Sequence, residues 1–166
     1  MNYRYLSEAD ASQYRLLRLN SLQTDPNDFA STYDRESEFP IGKFKVRLEN
    51  SVTYFTIGAF DEGTLVCIAT FYSETLEKIK HKGNLVSVYC HPQYRHQGIA
   101  RQLIQQIIDS LVEQNTVKTI NLCVLSENKR AISLYEKLGF KRYGTEPKAL
   151  YDGSVYYDED LMCLEL

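Results

Sequence analysis

Apolar positions change their period several times along the chain, and each change marks a new element. Tyr3 to Leu6 has the look of a short strand, and Leu16, Leu17, Leu19 and Leu22 then fall near helical spacing behind Asp10 and Ser12, which predicts a helix over about 11–23. Thr24 to Asn27, with Pro26, ends it; a polar segment continues through Glu38, and Ile41 to Glu49 predicts another short helix. Two runs rich in β-branched and aromatic residues, Val52 to Phe60 and Thr64 to Tyr72, flank Asp61, Glu62 and Gly63 and predict an antiparallel hairpin. Glu74 to Lys82 reads as a flexible connection, and Asn84 to Cys90 as a strand that stops before Pro92.

From Ile99 the period becomes helical: Leu103, Ile104, Ile107, Ile108, Leu111 and Val112 form one broad stripe that ends near Asn115. Val117 to Leu125 predicts a strand. Ala131, Leu134, Tyr135 and Leu138 return to helical spacing, with Ser126 or Asn128 to cap the start and Gly139 to end it. Phe140 begins another strand, and Val155 to Leu166, after the Asp152-Gly153 turn, joins the end of the chain to the sheet. The sum is a mixed α/β sheet in one domain over residues 1–166, without an internal repeat or a low-complexity tract.

Composition narrows the classes. With 43% hydrophobic and 25% charged residues, disorder and fibrous repeats are excluded. A formal charge of −3 gives no broad positive field, which argues against nucleic acid as a partner. Apolar runs are far shorter than the roughly 18–20 residues that span a bilayer, and Met1 is followed by Asn2, Tyr3 and Arg4, so a cytoplasmic protein with no membrane partner is expected. Cys67, Cys90, Cys123 and Cys163 each sit in a strand-like apolar stretch with no CxxC spacing; they are expected to be reduced core residues, and no metal site is predicted. Thirteen Tyr and no Trp supply rings that can pack while offering a hydroxyl to a ligand.

The most informative stretch is Val88 to Ala100, VYCHPQYRHQGIA. A strand passes through a proline-bearing turn to Gly98 and a long helix. Unpaired N–H groups and the positive end of the helix dipole suit an anion, and a glycine lets a phosphate approach closely. Arg95 and His96 add side-chain donors. The segment lacks both the Lys-Ser/Thr pair of a P-loop and the three-glycine spacing of a dinucleotide fold.

Arg95-x-x-Gly98-x-Ala100 resembles the Q/R-x-x-G-x-G/A signature with which the GNAT N-acyltransferase superfamily binds the pyrophosphate of coenzyme A. Asn128, Ala131, Leu134, Tyr135, Lys137, Gly139 and Phe140, in the order N-x-x-A-x-x-L-Y-x-K-x-G-F, resemble its second conserved segment. The two motifs cover about Leu85 to Phe140, and the element order around them agrees with the GNAT fold, a mixed, mostly antiparallel sheet flanked by helices. The resemblance implies an N-acetyltransferase in which acetyl-CoA is the donor and an amine attacks the thioester directly. Backbone N–H groups near Val88, Tyr89 and Cys90 would bind the pantetheine and the thioester carbonyl if the strand splays there; the amides of Arg95, His96, Gln97, Gly98, Ile99, Ala100 and Arg101 would cradle the pyrophosphate. Asn128 and Tyr135, seven residues apart, project from nearly one helix face. By resemblance Asn128 contacts the cofactor arm and the Tyr135 hydroxyl protonates the CoA sulfur.

One departure stands out: Leu85-Val86-Ser87-Val88 has no carboxylate where many relatives carry the general base. A water relay through Ser87, Tyr89 or His91, a carboxylate such as Glu36, Glu38 or Glu159, or an acceptor bound as the neutral amine would each fill the role. The acceptor is open between a small molecule and a peptide or protein amine, because residues 25–49 and 147–158 carry no chemical signature. The last hairpin, with Tyr143 to Pro147 and Tyr156 to Glu159, resembles endings that wall the acceptor site. Members of the family often form homodimers. The competing reading is a non-catalytic acyl-CoA-binding or regulatory module.

Overall fold

In the computed structural model, which describes residues 1–166, the chain runs β1 (Asn2–Tyr5), α1 (Ala11–Thr24), α2 (Tyr33–Ser37), α3 (Ile41–Val46), β2 (Tyr54–Asp61), β3 (Thr64–Ser73), β4 (Lys82–Cys90), α4 (Ile99–Gln114), β5 (Thr119–Leu125), α5 (Lys129–Lys137), β6 (Lys141–Tyr151) and β7 (Tyr156–Glu165). The strands form one sheet in the order β1-β2-β3-β4-β5-β7-β6. Every pairing is antiparallel except β4 with β5. α2 has no counterpart in the periodicity, because its one turn is polar and is set by Thr32, whose hydroxyl accepts from the Arg35 N–H at 3.3 Å.

Helices cover both faces of the sheet, which is why β2 and β3 read as continuous apolar runs rather than as alternating ones. On one face the α4 stripe of Leu103, Ile104, Ile107 and Leu111 is fully buried against Phe55, Ile57, Val66 and Phe71. Each such side chain contributes about 1.5–3 kcal/mol through burial. On the other, Tyr14 and Leu17 of α1 and Phe44 of α3 pack on Phe60, Leu65, Ile68 and Tyr89. Residues 74–82 are not an open connection: Glu74 N–H bonds the Lys82 carbonyl and Lys82 N–H the Ile79 carbonyl, so the segment is a closed turn. Of the four cysteines only Cys67 is in the core; Cys90 and Cys163 are half-buried and Cys123 is exposed, because its face of β5 is not covered by a helix.

The sheet opens in its middle. β4 and β5 pair only at Lys82↔Thr119, Gly83↔Ile120 and Asn84↔Asn121. Beyond these three pairs the two parallel strands have no ladder between them. On its other edge β4 carries a bulge, where the register with β3 slips between Ile68↔Tyr89 and Thr70↔Val86 and Ser87 takes a left-handed φ of +53°. The bulge bends β4 at the point where it leaves β5. At the outer edge, β6 slips register against β7 between Arg142 and Gly144, and again between Glu146 and Leu150 around Pro147 and Lys148. No helix is long and apolar enough to cross a membrane.

Candidate active site

The opening between β4 and β5 leads to two cavities. The first, of about 420 Å³, lies between the β4–α4 loop and α5. Val88, Tyr89, Cys90, Arg95 and His96 line it, as do Gly98 to Arg101 and Tyr135. Gly98 sits immediately before α4 with φ +78° and has no side chain to cap the helix, so no side-chain acceptor takes the first N–H groups of α4. A Cβ here would meet nothing within 4 Å; the requirement is for the backbone angle, not for room. Gly98→Ala is accordingly expected to lower stability by about 1–2 kcal/mol, read from the urea midpoint.

The charges around this cavity are mostly positive: Arg95, Arg101, Arg130 and Lys137 against Asp25. Arg95 is already engaged. Its Nε donates to the Cys90 carbonyl at 2.9 Å and its guanidinium pairs with Asp25, so it braces the loop against the end of α1. That leaves Arg101, Arg130 and Lys137 without a carboxylate partner beside uncapped helix amides, a donor set that fits a polyanion such as a pyrophosphate. Arg130 and Lys137 enter from α5, and sequence reasoning gave neither a cofactor role. Gln97 does not line the cavity; its side chain donates to the Gln93 carbonyl at 3.2 Å.

The second cavity, of about 640 Å³, lies on the other side of the opening, walled by the α1–α3 region, β4 and β5. Val88 and Tyr135 line both cavities, so the Tyr135 ring stands where they meet. It is 7% exposed and packs edge-on against Phe140, with centroids 5.8 Å apart. Burial, reinforced by the Asp28 carboxylate, pushes the Tyr135 phenol far above its usual range, so it keeps its proton.

Asn128 does not share a ligand-facing surface with Tyr135. It precedes the first helical residue of α5, and its Oδ1 turns back to accept from the Ala131 N–H at 3.1 Å. Its Nδ2 donates to both oxygens of Asp28, at 3.2 and 3.1 Å, and the residue lines neither cavity. It caps α5, as the sequence suggests, and it also holds Asp28, a residue with no signal in the sequence pattern. Burial raises the Asp28 carboxyl, while the Asn128 bond pulls the other way.

The other base candidates are differently placed. Burial alone would raise the Glu36 carboxyl, but bonds from Arg18 and Arg47 outweigh it and bring it down to about 2, a poor proton acceptor. Glu38 is exposed, and neither it nor Glu159 lines either cavity. The Tyr89 hydroxyl is taken by Asn20 at 2.6 Å and Thr24 at 2.9 Å. His91 Nδ1 accepts from the Gln93 N–H at 3.4 Å, and Ser87 lines the second cavity from the bulge. Of the final hairpin only Tyr143 reaches that wall. No cluster of three His, Cys, Asp or Glu side chains is arranged to hold a metal.

The sequence profile of the acetyltransferase (GNAT) family matches residues 15–140. An N-alpha-acetyltransferase of Saccharolobus solfataricus is 28% identical over 145 residues, which cover 86% of this chain and 83% of that protein. Among solved structures, a GNAT-family acetyltransferase from Streptococcus pneumoniae superposes with a TM-score of 0.90 at 22% identity, covering 99% of both chains. The yncA protein of Salmonella typhimurium, solved with its cofactor acetyl-CoA, superposes with a TM-score of 0.81 at 20% identity, over 100% of this chain and 94% of that one.

Proposed function

The chain belongs to the acetyltransferase (GNAT) family, and from that premise we propose that it acts as one domain, moving the acetyl group of acetyl-CoA directly to a primary amine. The observation that carries the reading is the position of Tyr135, a buried, protonated phenol at the junction of a cation-lined cavity and a second, roomier one. The first cavity suits the donor: α4 amides with Arg101, Arg130 and Lys137 hold the pyrophosphate, and the unpaired stretch of β4 near Val88 offers backbone N–H groups to the thioester carbonyl. The second suits the acceptor.

Asp28 lines the acceptor cavity and acts electrostatically on Tyr135, and its raised carboxyl is the better proton acceptor for it. The ammonium proton passes to Asp28, the C–N bond forms, the C–S bond breaks, the departing thiolate takes the Tyr135 proton, and the second proton lost by the nitrogen as the amide forms restores the Tyr135 hydroxyl. Asn128 keeps Asp28 in place. A carboxylate supplied from residue 28 removes the chief support for a purely binding module, which was the missing acid on β4.

The test is acetyl-CoA titration together with CoA release over amines of varied shape. Binding in the micromolar range with amine-dependent CoA release is expected; binding without release from any amine would leave the module reading in its place.

A further inference from the structure

Resting on that reading, we infer that the acceptor is a zwitterion: besides its amine it carries a carboxylate, which the arginine end of the cavity receives. Five charged side chains line the acceptor cavity, and they are segregated. Asp28 stands at the Tyr135 end, held by Asn128, and the charges that act on it most strongly are Asp25, Arg130 and Arg95, all on the donor side. Arg18, Arg35, Arg47 and Glu36 make up the other end, contributed by α1, α2 and the turn after α3.

That end is positive in surplus. Glu36 is a single carboxylate shared by two guanidinium groups: it accepts from Arg18 Nε and Nη2 at 3.1 and 2.9 Å, and from Arg47 Nη1 at 2.7 Å. Its charge offsets one of the two. Arg35 forms no ion pair at all and is exposed. Two positive charges therefore remain uncompensated in the wall of a cavity that belongs to a protein of net charge −3. A polyamine or a simple alkylamine would bring further positive charge, or none of the missing negative charge, to this end. A carboxylate completes it, and planar guanidinium groups match carboxylate geometry. With an anion seated among the arginines, the amine is directed toward Asp28 and Tyr135, so the two poles would also set the orientation for transfer.

The experiment compares kcat/KM for acid and amide pairs of increasing reach: leucine with leucinamide, β-alanine with β-alaninamide, 4-aminobutanoate with 4-aminobutanamide, and a free-amine tetrapeptide with its C-terminal amide, alongside spermidine. The amides have the less basic amines, so a preference for the acid cannot come from the fraction of neutral amine. At least one pair is expected to favour the acid about 10-fold or more, the scale of one charge-assisted contact. Arg35→Gln, which breaks no ion pair, should bring that ratio down toward one. Amides or spermidine acetylated as well as every acid would overturn the inference while leaving the transferase reading intact. If no amine in the panel is acetylated, the transferase reading itself fails and the inference falls with it.

Discussion

Tyr135→Phe is expected to lower kcat about 100- to 1,000-fold while leaving acetyl-CoA affinity within about threefold of the parent, the range that loss of a positioned general acid produces. The substitution is clean because the ring is buried and packs edge-on against Phe140, and Phe keeps that contact. Only the hydroxyl is lost. Steady-state CoA release and a binding titration separate the two effects. A kcat within threefold of the parent, with binding unchanged, would remove Tyr135 from the chemistry. The phenol is held far above its usual range by burial and by Asp28, so it stays protonated throughout the window in which an amine acceptor loses its proton. The rate should therefore show no descending limb attributable to Tyr135 between about pH 7 and 10.

Glu36→Gln should be the most destabilising single change, costing about 3–5 kcal/mol, because it leaves the buried Arg18 and the half-buried Arg47 facing a neutral amide. Linkage gives an independent check on the same carboxyl. Its folded pKa of about 2 lies below the ordinary 4.5, so the group contributes stability that is fully present above about pH 4.5 and is lost as the pH falls toward 2. The full contribution is about 3 kcal/mol. Urea midpoints at pH 7 and pH 3 should differ less in Glu36→Gln than in the parent. A variant that unfolds at the parent's midpoint at pH 7 would show that the arginine pair stands without its carboxylate.

The parts of the fold that could be read in advance are those in which one local rule settles the matter. The α4 stripe has a single period over several turns, Gly98 and Gly139 bracket helices in the way their φ angles demand, and the hairpin of β2 and β3 announces itself through composition. What stayed hidden depends on assembly. Asp28 and Arg35 come from a polar segment with no period, Arg18 and Arg47 from two separate predicted helices, and only the packing of α1, α2 and α3 over the sheet brings them to one wall. Asn128 was legible as a candidate cap of α5, and its Oδ1 does accept from the Ala131 N–H, but its hold on Asp28, a hundred residues away in the chain, was not. Cys123 sits in an apolar strand and was read as core, yet that face of β5 borders a cavity instead of a helix.

The outer strand has a consequence of its own. A straight, exposed strand edge is a template on which other chains polymerise, and natural sheets blunt such edges. β6 is blunted three ways: Pro147 offers no N–H, Lys148 turns out of line with φ +54°, and Lys141, Arg142 and Lys148 place positive charge along it. β1, at the opposite margin, is only four residues long. The unpaired stretch of backbone between β4 and β5 thus lies in the interior of the sheet, and neither margin offers a long regular ladder from which a fibre could grow.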